Sequence, residues 1–177
     1  MAQWVPLYES TPEVVKTELA TFFDVFPHGT VWDNGIGYDI VLLGQTGVAT
    51  IDVDRMQQRL NRANHAVVVE SLRDVKFGSA ADLLATYAGR ASDLAPWLAH
   101  VERNRDSNLR LQYIAGLGLN TNQRQRIYDQ IMAFCRFPAD FFVTSDEIKE
   151  RLRKSLEAKE LLRKSLEQRR PKTQDEN

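Results

Sequence analysis

The segment TPEVVKTELATFFDVFP narrows the possible folds more than any other part of the chain. Ser10 or Thr11 can cap a helix, Pro12 sits in the first turn where a missing N–H costs nothing, and Glu13 and Glu18 lie toward the positive end of the helix dipole. Val14, Val15, Leu19, Phe22, Phe23 and Phe26 then recur at helical spacing and Pro27 stops the run. A stripe this wide and aromatic has to be buried against a broad apolar surface, so the neighbouring segments must supply one.

They read as strands. Gln3 to Tyr8 precedes the helix, and Thr30–Trp32 and Tyr38–Leu43 follow it, separated by Asp33, Asn34, Gly35 and Gly37 in the composition of a hairpin turn. The near-continuous run Ile40–Leu43 is what a strand covered on both faces looks like. Strand, helix, strand, strand is an α/β order, and it predicts the terminal edge of a larger sheet whose other strands lie elsewhere.

From Asp52 the texture is mainly helical. Asp52 or Asp54 opens a helix to about Ala63, His65–Val75 is ambiguous, and Ser79 caps AADLLATYAG with Gly89 as its close. Ser92 starts another short helix. In NLRLQYIAG the alternation of Leu109, Leu111 and Tyr113 with Arg110 and Gln112 predicts an extended segment, and Asn120 or Thr121 opens a helix through Ile127 and Ile131 to Phe134.

Residues 144–170 predict one long charged helix, begun by Ser145, Asp146 and Glu147. RLRKSLE at 151–157 recurs as LLRKSLE at 161–167, but a ten-residue offset turns the second copy by about 80°, which breaks any heptad register. Leu152, Leu156 and Leu166 leave a thin apolar line, and pairs such as Glu150 with Lys154 and Glu160 with Lys164 support a solvated helix; docking on a partner is the functional alternative. Residues 171–177 carry no apolar side chain and read as a disordered tail. The expected organisation is 1–51 as sheet strands and helix, 52–143 as a helical continuation, 144–170 as the charged helix, and 171–177 as tail.

Charge and composition exclude some functions. The formal net charge is −1, with ten Lys or Arg against eight Asp or Glu from Asp146 onward, which offers no broad basic surface for nucleic acid. The longest apolar runs fall far short of the roughly 20 residues of a membrane span. No secretory leader is legible, and Cys135 is the single cysteine, so the expected setting is cytoplasmic.

No catalytic constellation emerges. His28, His65 and His100 lack metal-ligand spacing, and Cys135 follows Phe134 among apolar neighbours as a small hydrophobe would. The glycines at 35, 37, 44 and 47 surround a hairpin rather than form a phosphate loop. Asp33, Asp39, Asp52 and Asp54 read either as paired acids or as turn and cap residues. Trp4, Trp32 and Tyr38 read either as core or as a π-rich wall for an alkylammonium group.

QWVPLYE, VKTELATFFDVFPHGTVW and GYDIVLLGQ together resemble the late part of the catalytic domain of the spermidine synthase family, the polyamine aminopropyltransferases, and most of all the large bacterial members. LRDVKFGSAADLLATYAG and NRDSNLRLQYIAG extend the similarity, so that it covers roughly residues 3–119. The resemblance implies the C-terminal portion of a Rossmann-like, methyltransferase-type sheet, with Gln3 and Trp4 at the rim of the substrate pocket. It implies decarboxylated S-adenosylmethionine and a polyamine as ligands of the complete enzyme. The family's Gly-rich turn, acidic strand end and Asp-rich motif precede the stretch seen here, and no Tyr or Trp-Pro pattern stands at 33–36 where its aromatic turn would fall. The expectation is a chain inert alone, with no catalytic or metal-binding residue of its own, joined to a second copy or to an upstream half. A non-catalytic interaction module is the alternative.

Overall fold

The computed structural model describes residues 1–34 and 37–169, with the side chains of 159–160 and 162–169 left aside. The expected aromatic turn at 33–36 therefore falls partly, and the expected tail at 171–177 wholly, outside the described residues. The helix predicted first is α1 (Pro12–Val25). Thr11 caps it, its hydroxyl accepting from Val14 N–H at 3.2 Å, and Val15, Leu19, Ala20 and Phe22 are buried. The valine, leucine and phenylalanine among them contribute about 1.5–3 kcal/mol each when removed from water.

The surface that buries them is a four-stranded sheet of β1 (Ala2–Pro6), β2 (Thr30–Asp33), β3 (Asp39–Leu43) and β5 (Tyr87–Arg90), in the order β1-β3-β2-β5 with every neighbouring pair antiparallel. Because β1 and β2 both oppose β3, they run parallel to each other with β3 inserted between them. The outer edge of β1 pairs with no described strand. The fold is thus mixed α/β, with an antiparallel sheet.

β3 is not covered on both faces as its apolar run implied. Ile40 and Leu42 are buried but Val41 is only partly so and Leu43 is exposed. The strand buried throughout is β2, because one apolar cluster lies on each of its faces. The first joins β1, α1 and β3 to α7 (Arg124–Met132) through Val5, Leu19, Val31, Ile40, Ile127 and Ile131. The second gathers Trp32 and Tyr87 with Leu84, Phe142, Leu152 and Leu156, and takes in no residue of β1 or β3.

The middle of the chain supplies β4 (Ile51–Asp52), α2 (Val53–Leu60), a short 3-10 turn and α3 (Ala66–Asp74), so the ambiguous His65–Val75 stretch is largely helix. Asp52 caps α2 by accepting from Arg55 N–H at 2.8 Å. Ser79 caps α4 (Ala80–Leu84), which ends five residues before Gly89. The expected longer helix gives way to strand β5, where Tyr87 and Ala88 are fully buried and Gly89 takes φ +141° beside an irregularity in the β2 pairing. Pairing with β2 buries this segment, and only a glycine accepts that backbone angle without strain.

α5 (Ala91–Leu94) begins at Ala91, close to the expected Ser92. The extended segment expected at NLRLQYIAG is instead α6 (Arg110–Ile114) and a 3-10 turn. Side chains wind its start: Asn104 Oδ1 accepts from Leu111 N–H at 2.8 Å and Asn108 Oδ1 from Arg110 N–H at 3.2 Å. α7 starts later than expected, after Asn120 and Asn122 at positive φ. β6 (Phe142–Val143) pairs parallel with β4, and α8 (Asp146–Arg169) follows, with Leu152 and Leu156 buried. Glu150 and Lys154 approach to 3.6 Å; Leu166 and the Glu160–Lys164 pair fall outside the described side chains. Among the described residues no helix is long and apolar enough to cross a membrane.

Candidate functional site

Strand alternation sends Gln3 and Trp4 to opposite faces of β1. Gln3 is half-buried on the face that carries Val5 and Leu7 into the first cluster; Trp4 stands on the other face, 55% exposed. The two side chains therefore flank the open edge from its two sides. Trp4 continues into an aromatic row: its ring lies 6.4 Å from that of Tyr8, and Tyr8 lies 6.4 Å from Tyr38. Tyr8 and Tyr38 are 41% and 46% exposed, so three aromatic rings meet solvent side by side. The Arg124 guanidinium sits 3.9 Å from the centre of the Tyr38 ring and closes the row at α7.

Trp32 does not join it. That ring is buried edge-on against Tyr87, with its indole N–H donating to Thr30 Oγ1 at 2.8 Å, because the second cluster covers β2 and stops there. The four aspartates divide in the same way. Asp52 caps α2, and Asp54 Oδ2 accepts from the Thr144 hydroxyl at 3.1 Å, so both serve structure. Asp33 and Asp39 lie at the Tyr38 end of the β2–β3 hairpin on opposite faces, since Asp33 is in register with Ile40.

Asp33 is 5% exposed and accepts from the Tyr128 hydroxyl at 3.0 Å, while its N–H donates to Thr86 O at 2.8 Å. Burial, reinforced by the Asp33 charge, pushes the Tyr128 hydroxyl well above the usual phenol range and keeps it a donor. Asp39 Oδ2 accepts from Asn34 Nδ2 at 3.2 Å; its Oδ1 is buried with no hydrogen-bond partner. A buried carboxylate oxygen without a donor is costly, and it favours a cationic or N–H-bearing group near the end of the aromatic row. Gly37 permits the arrangement: its φ is +64°, and a Cβ there would meet the Tyr128 ring at 3.1 Å.

The remaining chemistry-bearing residues do not converge. His28 is exposed, His65 lies beside Asn64, and His100 takes φ +62°; among the described residues no group of three His, Cys, Asp or Glu side chains could hold a metal ion. Cys135 is half-buried against both apolar clusters, its Sγ 3.9 Å from the Tyr87 carbonyl. Nothing described suits decarboxylated S-adenosylmethionine: Gly37 lies under Tyr128, a Cβ on Gly44 would meet the Phe26 ring at 2.6 Å, and Asp33 is committed to Tyr128.

Tyr8, Arg124 and Tyr128 are the contributors that sequence reasoning passed over. Tyr8 stood in the QWVPLYE stretch and could have been found as a ring four residues from Trp4. Arg124 and Tyr128 come from 80 or more residues away and carry no local signal. No protein-family model, curated protein or solved structure matches the chain.

Proposed function

We propose that the chain is the closing portion of a spermidine synthase-like aminopropyltransferase sheet and that it supplies the amine-side rim of a site completed by a separate cofactor-binding portion. The observation that carries the reading is the strand arrangement: β1 and β2 parallel, joined through α1, with β3 inserted antiparallel and the outer edge of β1 open. Such an edge is where further strands of a larger α/β sheet would join. Gln3 and Trp4 then border the junction, Tyr8 and Tyr38 offer π faces to an alkylammonium chain, and Asp39 offers a carboxylate oxygen in need of a donor. Aminopropyl transfer requires a deprotonated amine held in line with the sulfonium carbon. These residues would bind and align the amine, and activation of the cofactor would fall to the completing portion.

The test is a thermal-shift series on the purified chain with putrescine, spermidine, methylthioadenosine and decarboxylated S-adenosylmethionine. A ligand of the native state at 100 times its dissociation constant adds about 2.7 kcal/mol. Polyamines should stabilise the protein, Tyr38→Ala and Asp39→Asn should each abolish the shift, and the chain alone should transfer no aminopropyl group. A shift with the cofactor alone, or none with any amine, would count against the assignment.

One observation favours the second reading, a non-catalytic interaction module. α3 buries none of its residues, and Val67 is 76% exposed with Val68 beside it. A silent amine series, together with unchanged melting of a Val67→Glu/Val68→Glu variant, would move the assignment to that class.

A further inference from the structure

The open edge of β1 has a hydrogen-bonding pattern that can be written down residue by residue. Met1 exchanges both backbone bonds with Gly44, at 3.1 and 2.7 Å, and Leu7 N–H donates to Tyr38 O at 2.9 Å. With the register between them continuous, the odd-numbered residues face β3 and the even-numbered ones face outward. The outer edge therefore presents the N–H groups of Ala2 and Trp4 and the carbonyls of Ala2, Trp4 and Pro6. None of these meets a described backbone partner.

Edges are ordinarily blunted by Lys, by inward charges, by bulges or by a covering element. From Ala2 to Tyr8 there is no charged side chain, the β1–β3 pairing is regular, and the single deterrent is Pro6 at the strand's end. Pro6 also selects the register. In an antiparallel pairing of β1 with itself, only one alignment gives all five residues a partner: Trp4 opposite Trp4 of the second copy, Gln3 opposite Val5, and Ala2 opposite Pro6. There the two Trp4 residues exchange two N–H···O=C bonds, and each Ala2 N–H meets the opposing Pro6 carbonyl, so the group that proline lacks costs only an acceptor at each end. The same alignment sets the two exposed Trp4 rings side by side on one face, about 5.5 Å apart at Cα.

We propose that the chain pairs with a second copy of itself through β1, forming a continuous eight-stranded sheet with its twofold axis at Trp4. The pairing depends on backbone register alone and stands whether or not the chain takes an amine. The self-paired dimer is the state of the uncompleted chain: a portion that completed the sheet would compete for the same edge and displace the second copy. Four backbone bonds and one Trp pair make an interface below the roughly 1,200 Å² of stable complexes, in the class of weak, reversible association.

The test is sedimentation equilibrium of the intact chain, with Trp4→Pro and Ala2→Pro as variants. Each substitution removes an outward N–H and leaves the bonds to β3 in place. Dimerisation by the parent chain and at least a tenfold weakening in Trp4→Pro are expected. Amide exchange gives a second readout that does not depend on a variant folding: at high concentration the Trp4 amide should become protected, while on dilution it exchanges fast and Gln3 and Val5 stay slow. In a Cys135→Ser background, Trp4→Cys should oxidise to a covalent dimer faster than Gln3→Cys, whose side chain lies on the other face. A chain that stays monomeric up to about 500 μM, where even an association worth only about 5 kcal/mol would be populated, would overturn the proposal. So would dimers that Trp4→Pro leaves intact or a Trp4 amide indifferent to concentration.

Discussion

Replacing Glu18 with Gln should change the pH dependence of stability more than stability itself. Glu18 lies on α1, one residue before the fully buried Leu19, and burial raises its carboxyl from 4.5 to about 7. A carboxyl whose folded value is raised binds its proton more tightly when folded. Its favourable contribution is therefore complete below about 4.5 and is lost as the pH climbs through about 7. The interval between those values corresponds to about 3 kcal/mol at 1.36 kcal/mol per pH unit, an upper limit because the side chain keeps part of its hydration; about 1–2 kcal/mol remains after that allowance. Urea melts of both proteins at pH 5 and pH 8 isolate the effect, since the difference between them cancels every other group that titrates in the interval. The advantage of Glu18→Gln over the parent should grow by about 1–2 kcal/mol from pH 5 to pH 8, or roughly 3–6 °C in Tm for a chain of this size. An advantage independent of pH would refute the inference that an ionised carboxylate is being held out of water.

Tyr128→Phe removes the hydroxyl that donates to the buried Asp33 and should cost about 1–3 kcal/mol in chemical denaturation, with part of the loss restored when Asp33→Asn is added. Thr11→Ala deletes the side-chain cap of α1 and should lower stability by about 1 kcal/mol, whereas Thr11→Ser should retain most of it. Gly37→Ala must place a Cβ at φ +64° and 3.1 Å from the Tyr128 ring; a loss of about 1–3 kcal/mol is expected by thermal melting.

Local signals proved sound where one element satisfies itself. α1 is announced by Thr11, Pro12 and a stripe of valines, leucine and phenylalanines, and each acts within four residues of its neighbours. Asp52 and Ser79 cap the helices assigned to them for the same reason, as a cap needs nothing beyond its own first turn. The hairpin of β2 and β3 was also legible, because turn residues between two β-branched runs leave few alternatives.

Where the outcome depended on a distant partner, the chain's own text was ambiguous or misleading. Residues 87–89 read as the end of the helix capped by Ser79 and become a strand because β2 offers an unpaired edge; NLRLQYIAG alternates like a strand and becomes a helix whose first N–H groups are taken by the Asn104 and Asn108 side chains. The apolar run of β3 was expected to be covered twice, yet the second cluster ends at β2 and leaves Leu43 in solvent. The candidate site follows the same division. Gln3 and Trp4 could be singled out from the quoted stretch, but their opposite orientations, the joining of Tyr8 and Tyr38, the loss of Trp32 to the core, and the arrival of Arg124 and Tyr128 were decided by tertiary packing. Spacing along the chain determines which residues share a face of one element; only the folded sheet determines which faces are covered, which edge stays open, and which side chains from distant positions meet there.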